Sequence, residues 1–247
     1  MKKESDYIFG TRTVLEAIKT GKEIDRILIA RKSEASIVKE LFALAREKEI
    51  PFQFVPVEKI NRVTRKNHQG VLAYLSEITY FPLNEIITRS YEAGKDPLLL
   101  VLDRVSDVRN FGAIARSAEC LGFHGIIVPE KGSARINADA VKTSAGALLK
   151  LPVARVSSLA NSLKHLKDSG IKIIAITEKT DKLLYQEKFT GPVALVLGNE
   201  ETGISENLLY LCDEKVQIPM QGETESLNVS VAASIIMYEV MRQRIPA

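Results

Sequence analysis

The sequence predicts an α/β protein whose C-terminal part is built on a parallel β-sheet and is preceded by a smaller α/β domain. Three observations carry that expectation. From Leu98 onward, apolar β-type runs without polar alternation are separated by helical stretches, the pattern of a parallel sheet covered on both faces. The 247 residues exceed the usual single-domain size, so two domains are expected. Finally, the stretch from Phe81-Pro82 to Asp96-Pro97 breaks the pattern. It places a linker at 81–96 between an N-terminal domain, 1–80, and a C-terminal domain, 97–247.

The N-terminal part reads as a helix at Thr13–Lys19, a strand at Arg26–Ala30, a helix at Ala35–Lys48, and strands at Phe52–Val55 and Val71–Leu75. The second helix sets Ile37, Leu41, Leu44 and Ala45 on one face and Lys39, Glu40, Arg46 and Lys48 elsewhere, as a surface helix does. A short helix at Asn84–Ala93 fits between the two prolines of the linker. The C-terminal part then reads as a strand over LLLVLD and a helix at Asn110–Leu121. A strand over HGIIVP is followed by helices at Ala138–Leu149 and Ser158–Ser169. Strands over KIIAIT, VALVLGN and KVQIP and a final helix complete the set. No internal repeat or low-complexity tract occurs.

Composition bounds the function without naming it. The chain is 45% hydrophobic, and 34 basic against 31 acidic residues give a net charge of +3, which permits nucleic-acid binding without demanding it. Cys120 and Cys212 lie far apart with no CxxC partner, so neither a disulfide framework nor a zinc site is suggested. His68, His124 and His165 are scattered, and no metal site or histidine triad is expected. The N-terminus lacks an apolar leader and no apolar run reaches membrane-spanning length. A cytoplasmic protein without membrane contact is expected.

Parallel sheets place ligands at the carboxyl ends of their strands, and three strand ends carry unusual residues. After the first strand, Asn110-Phe111-Gly112 opens a helix whose second turn carries Arg116. Ala113, Ile114, Ala115, Ala118 and Leu121 make that helix largely apolar, so a buried or cleft-lining Arg116 is one reading and a solvated one the other. After VALVL come Gly198, Asn199 and Glu200, then Gly203. Glycine there lets a backbone or a ligand approach closely, and a carboxylate beside it can accept hydrogen bonds from an amine or a ribose. The spacing is not that of the dinucleotide fingerprint, nor is a phosphate-binding P-loop present. The third is Ile218-Pro219-Met220, Gly222 and Ser226-Leu227-Asn228 before the last helix. Ser and Asn there serve equally as ordinary caps or as the mouth of an anion site.

Together these segments resemble the SPOUT-class RNA ribose 2′-O-methyltransferases of the SpoU/TrmH group. The family's three motifs look like Asn110 to Arg116, Gly198 to Gly203, and Ile218-Pro219-Met220 with Ser226 to Ser230, in the family's order. Ile8-Phe9-Gly10, Val14 and Asn67 to Val71 resemble the ribosomal-protein-like substrate-binding domain of the large-subunit rRNA guanosine branch. The resemblance implies a SPOUT domain with a deep trefoil knot, S-adenosylmethionine as cofactor, and a homodimer. It places Gly198, Ile218, Leu227, Met220 and Glu200 at the cofactor. Val229, Ala233, Ile236 and Val240 of the last helix repeat at helical spacing and suit either a dimer face or packing within one subunit.

The implied substrate is a guanosine ribose 2′-hydroxyl in 23S rRNA. Arg116 would act on that hydroxyl, with Asn110, Glu200, Ser226 and Asn228 positioning ribose, phosphate or guanidinium. A guanidinium holds its proton above about pH 12. Arg116 therefore either orients hydroxyl and phosphate as a cation or becomes a base only in a strongly perturbing site. Many relatives carry Pro where this chain has Val108, which leaves the loop less rigid. Arg135, Asn137, Lys142, Thr143 and Ser144 lie in a further loop that either touches RNA or is simply polar surface. Competing readings are methylation of tRNA or another rRNA nucleotide, and an RNA-binding assembly protein without catalysis.

Overall fold

The computed structural model describes residues 6–31, 35–48, 50–223 and 226–245. The chain forms two compact units that divide between Ile78 and Thr79.

The first unit contains β1 (Tyr7–Phe9), α1 (Thr11–Lys19), β2 (Ile24–Ala30), α2 (Ala35–Glu47), β3 (Phe52–Val55), α3 (Val57–Asn61) and β4 (Val71–Leu75). The sheet runs β1-β4-β2-β3, with only β2 and β3 parallel. Strand alternation sends Ile27, Ile29, Val71 and Ala73 to one face, where Val14, Leu15, Ile18, Leu41 and Ala45 of α1 and α2 bury them. The side chain of Ile37 lies outside the described ones. Leu28, Ala30, Val55 and Leu72 point the other way and are covered by Ile60 of α3. Neither β1 nor α3 was expected, since each is too short to show a period. Helix α1 starts two residues before the expected Thr13, because Gly10 turns the chain at φ 90°.

The second unit opens with α4 (Leu83–Glu92), which fills the stretch expected as a linker at 81–96. Ile86 and Ile87 sit in the main core of this unit, so the segment belongs to a folded body. There follow β5 (Leu98–Leu102), α5 (Val108–Cys120), β6 (Gly125–Pro129), α6 (Ala138–Thr143), β7 (Val153–Val156) and α7 (Leu159–Asp168). Then come β8 (Lys172–Ile176), β9 (Val193–Leu197), α8 (Glu206–Leu209), β10 (Glu214–Val216) and α9 (Val229–Arg244). All six strands are parallel, in the order β10-β8-β9-β5-β6-β7. Every residue of β5 and β9 is buried, as continuous apolar runs require.

Several boundaries depart from expectation for local reasons. Strand β7 was missed because its four residues include Arg155. The helix expected at Ala138–Leu149 stops at Thr143, since Ala145 and Gly146 take positive φ, and a 3₁₀ turn at Ala147–Leu149 follows. The strand expected to end at Ile218-Pro219-Met220 ends at Val216. Asp107, not Asn110, caps α5: its Oδ1 accepts from the Arg109 and Asn110 N–H groups, both at 2.8 Å. Val229, Ala233, Ile236 and Val240 are at most 6% exposed. They are core positions of their own subunit and offer no dimer face.

Candidate active site

The carboxyl ends of β5 and β9 lie side by side, Leu102 opposite Leu197, and the loops that leave them are tied together. Asp103, 4% exposed, receives Arg104 Nε on Oδ1 at 3.0 Å and both Arg104 Nη2, at 3.1 Å, and the Ser205 N–H, at 2.8 Å, on Oδ2. Burial alone would raise its pKa, but the bonds from Arg104 and Ser205 outweigh burial and hold the carboxyl below its ordinary value. Arg104 Nη2 also donates to the Gly203 carbonyl at 3.3 Å, and Asn199 Nδ2 donates to the Arg104 carbonyl at 3.1 Å.

The loop after β9 closes on itself. Asn199 and Gly203 exchange backbone bonds at 3.2 and 2.8 Å, and Asn199 Oδ1 caps the Glu201 and Thr202 N–H groups. A Cβ on Gly198 would lie 2.1 Å from the Gly203 carbonyl carbon. The glycine is thus required by the chain's own return. Gly112 is similar: a Cβ there would meet Thr143 Cβ at 2.8 Å and the Ala140 carbonyl at 2.9 Å, so this glycine lets α5 and α6 approach closely.

Three predicted residues meet on these loops. Asn228 caps α9, with Oδ1 accepting from the Ser230 N–H at 2.9 Å and from Ser230 Oγ at 2.6 Å. Because a backbone N–H only donates, the orientation of the Asn228 amide is set. Its Nδ2 therefore donates to Asn110 Oδ1, at 3.2 Å, and Asn110 Nδ2 donates to Glu200 Oε1. A directed chain of bonds thus runs from the mouth of α9 through α5 to the carboxylate after β9. Among the described residues Glu200 Oε2 has no partner, so the exposed carboxylate keeps an acceptor for an incoming N–H or O–H.

The remaining predicted residues surround this chain less tightly. Of the two readings left open for Arg116, buried or solvated, the structure shows the exposed one: it projects from α5 away from Ile114, Ala115 and Ala118, which are fully buried. Among the described residues it has no hydrogen-bond or ion-pair partner and is not bonded to Asn110, Glu200 or Asn228. Ser226 is exposed, two residues ahead of the cap, while Ile218, Gly198 and Leu227 are half-buried and Met220 is 41% exposed. Among the described residues no backbone hydrogen bond involves Ile218, Met220, Ser226 or Leu227, so their N–H and C=O groups are available to a ligand. In the further loop, Asn137 caps α6 and Ser144 is buried. Expectation missed the Asp103–Arg104 tie and the Asp107 cap. The second was visible as an Asp just ahead of a helical period.

Beside the Asn228–Asn110 bond an open cavity of about 410 Å³ is lined by Ala113, Ser230, Val231, Ser234, Ile235 and Tyr238. Ser234 of this lining shares a hydroxyl bond of 2.8 Å with Ser117 of α5. Val231, Ile235 and Tyr238 form a stripe along α9 that is 46%, 38% and 55% exposed. Among the described residues no group of three or more His, Cys, Asp or Glu side chains is arranged to hold a metal ion.

Comparison with known proteins shows the family to which the chain belongs. A family model described as the SpoU rRNA Methylase family matches residues 97–238. One described as RNA 2′-O ribose methyltransferase substrate binding matches residues 7–81. The chain is 32% identical to YacO of Bacillus subtilis, named a TrmH family tRNA/rRNA methyltransferase, over 100% of this chain and 99% of that protein. It is 37% identical to a like-named protein of Staphylococcus saprophyticus, over 98% and 97% of the two chains. Its fold is similar to the crystal structure of the SpoU methyltransferase AviRb of Streptomyces viridochromogenes in complex with AdoMet. There the TM-score is 0.62 and the identity 30%, with 96% of this chain and 90% of that one covered.

Proposed function

Because the chain belongs to the SpoU rRNA methylase family, and so to the RNA methyltransferases of the SpoU/TrmH kind, we propose that it methylates a guanosine ribose 2′-hydroxyl in 23S rRNA. The observation that carries this reading is the directed chain Asn228–Asn110–Glu200 at the joined ends of β5 and β9. It fixes a carboxylate oxygen where a parallel sheet presents its ligands.

The residues fit S-adenosylmethionine. The bare backbone groups of Ile218, Met220 and Leu227 suit the hydrogen-bonding edge of an adenine and a carboxylate, and the half-buried Ile218 and Leu227 side chains suit an apolar ring face. When bound, S-adenosylmethionine supplies an electrophilic methyl group. The protein's share is to bring a ribose hydroxyl into line with that methyl, take up the hydroxyl proton and exclude water. Asn110 and Asn228 hold Glu200 in place to accept from the ribose or from Arg116. Arg116, without a partner among the described residues, pairs with the phosphate beside the target and orients the hydroxyl as a cation. Ser226, exposed at the same mouth, donates to the same phosphate or ribose.

Two further parts belong to this reading. The segment from β9 to α9 carries the trefoil knot. The protein is a homodimer through the outer face of α9, supported by the exposed Val231, Ile235 and Tyr238 beside the site. Ribosomal RNA is favoured over tRNA by the substrate-binding match over residues 7–81.

Mass-spectrometric mapping of ribose methylation in RNA from cells lacking the protein tests the substrate. One guanosine of 23S rRNA should lose its methyl group. Loss at a tRNA nucleotide instead would overturn the rRNA assignment.

A further inference from the structure

The stretch 57–70 carries Lys59, Arg62, Arg65 and Lys66 against a single carboxylate, Glu58. All four cations are exposed, and among the described residues none forms an ion pair. Lys59 makes only a long contact of 3.5 Å to Gln53. Cations elsewhere on the surface are commonly matched: Lys19 with Glu40, Arg89 with Glu85, Lys179 with Glu206 and Arg242 with Glu239. Four unmatched positive charges within eight residues repel one another, and that repulsion is relieved when a polyanion binds.

The backbone that holds them is well fixed. Ile60 is fully buried beneath α3, and Val63 and Thr64 close the turn on the Ile60 carbonyl at 2.9 and 3.0 Å. His68 fastens the far end: its Nδ1 accepts from the Gly70 N–H at 3.0 Å, so its Nε2 carries the proton and donates to Asn61 Oδ1 at 2.8 Å. Gln69 accepts a left-handed φ of 52° to make that closure. At one edge Lys66 Nζ stands 6.0 Å from the centre of the half-buried Phe9 ring, which sets an apolar face beside the cations.

We infer that Lys59, Arg62, Arg65 and Lys66 form a pre-organised track for the phosphate backbone of RNA on the N-terminal unit. The choice of RNA as the polyanion rests on the methyltransferase reading above; the charge and geometry do not. Arginine and lysine on a rigid loop meet successive phosphates with little ordering cost, and the ring of Phe9 offers a platform for an unpaired base.

The test uses the full chain with Lys59→Gln, Arg62→Gln, Arg65→Gln and Lys66→Gln combined, and a fluorescently labelled single-stranded RNA of mixed sequence titrated at several salt concentrations. Each lost phosphate contact removes about 0.7 from the slope of log affinity against log salt. The slope should therefore fall by roughly 2 to 3, and affinity near 0.1 M salt by about 100-fold. Unchanged thermal unfolding and unchanged calorimetric binding of S-adenosylmethionine would show that the fold and the other unit are intact. An unaltered slope in a folded variant overturns the track. If the wild type binds RNA through this track but transfers no methyl group, the methyltransferase reading fails and the track stands.

Discussion

Arg104 sits at φ 59°, a left-handed conformation that costs a side-chain-bearing residue about 1–2 kcal/mol. Its guanidinium explains why the position holds: it bridges the Asp103 carboxylate and the Gly203 carbonyl and so anchors the loop that presents Glu200. Arg104→Gly should relieve the backbone strain and remove the bridge. The expected result is a stability within about 1 kcal/mol of wild type, with methyl transfer reduced at least tenfold. Full activity in that variant would show that the bridge does not position Glu200. At this scale the sequence pointed to Asn110, Glu200 and Asn228, since small amides and a carboxylate after apolar strands are visible as types, and the structure joins the three by hydrogen bonds. It hid Arg104, because nothing in the letter R marks a left-handed residue. Of the two approaches left open at Gly198, backbone or ligand, the structure shows the backbone one, and the bare Cα of Gly112 likewise serves a contact within the protein.

Among the elements, the joint between β5 and the loop after β9 depends on an ionised carboxylate. Burial disfavours that charge, yet the bonds from Arg104 and Ser205 hold the Asp103 pKa below its ordinary value. A lowered native pKa means that the unfolded chain binds the proton more readily. The stability Asp103 confers is therefore complete above the ordinary aspartate range near pH 4. It is lost as pH falls through the depressed native value. Glu187, 4% exposed and bonded to Lys172 and Lys182, behaves alike: burial opposes its charge, and the two lysines lower its pKa. Thermal unfolding followed from pH 7 down to pH 3 should show a steep loss of Tm below about pH 4, and Asp103→Asn should flatten it. An equally steep loss in Asp103→Asn would place the acid-sensitive joint elsewhere. The long apolar strands were plain in the sequence because burial on both faces removes alternation. Strand β7 and helix α3 were missed because each is only four or five residues long, while α4 was seen as a short helix but placed in a linker, since ten residues between prolines read equally as linker or element.

For the whole molecule, α9 is the element with unfinished packing. Its inner side is closed by Val229, Ala233, Ile236, Met237 and Val240, and its outer stripe of Val231, Ile235 and Tyr238 adjoins the site. Periodicity showed that α9 was apolar but could not say which face the subunit itself would use. That needed the position of the sheet. Light scattering after size exclusion should find the wild type at twice the chain mass, and Val231→Asp with Tyr238→Asp at the chain mass. A wild type that stays monomeric at all concentrations would remove the dimer from the reading.

Length led to the expectation of two domains, and the chain forms two compact units, without a separate linker at 81–96; the meeting of the motifs was not legible, since it needs the strand order that places β9 beside β5 and the bond from Asn228 to Asn110. That convergence is the basis for assigning RNA 2′-O-methylation to these residues. The most direct measurement incubates the protein with S-adenosylmethionine labelled on its methyl group and with rRNA from cells lacking the protein, then hydrolyses the RNA in alkali. A 2′-O-methyl group blocks cleavage at its own nucleotide, so label is predicted in alkali-resistant dinucleotides. Label recovered only in mononucleotides, as a base methylation would give, or no transfer at all, would contradict the account.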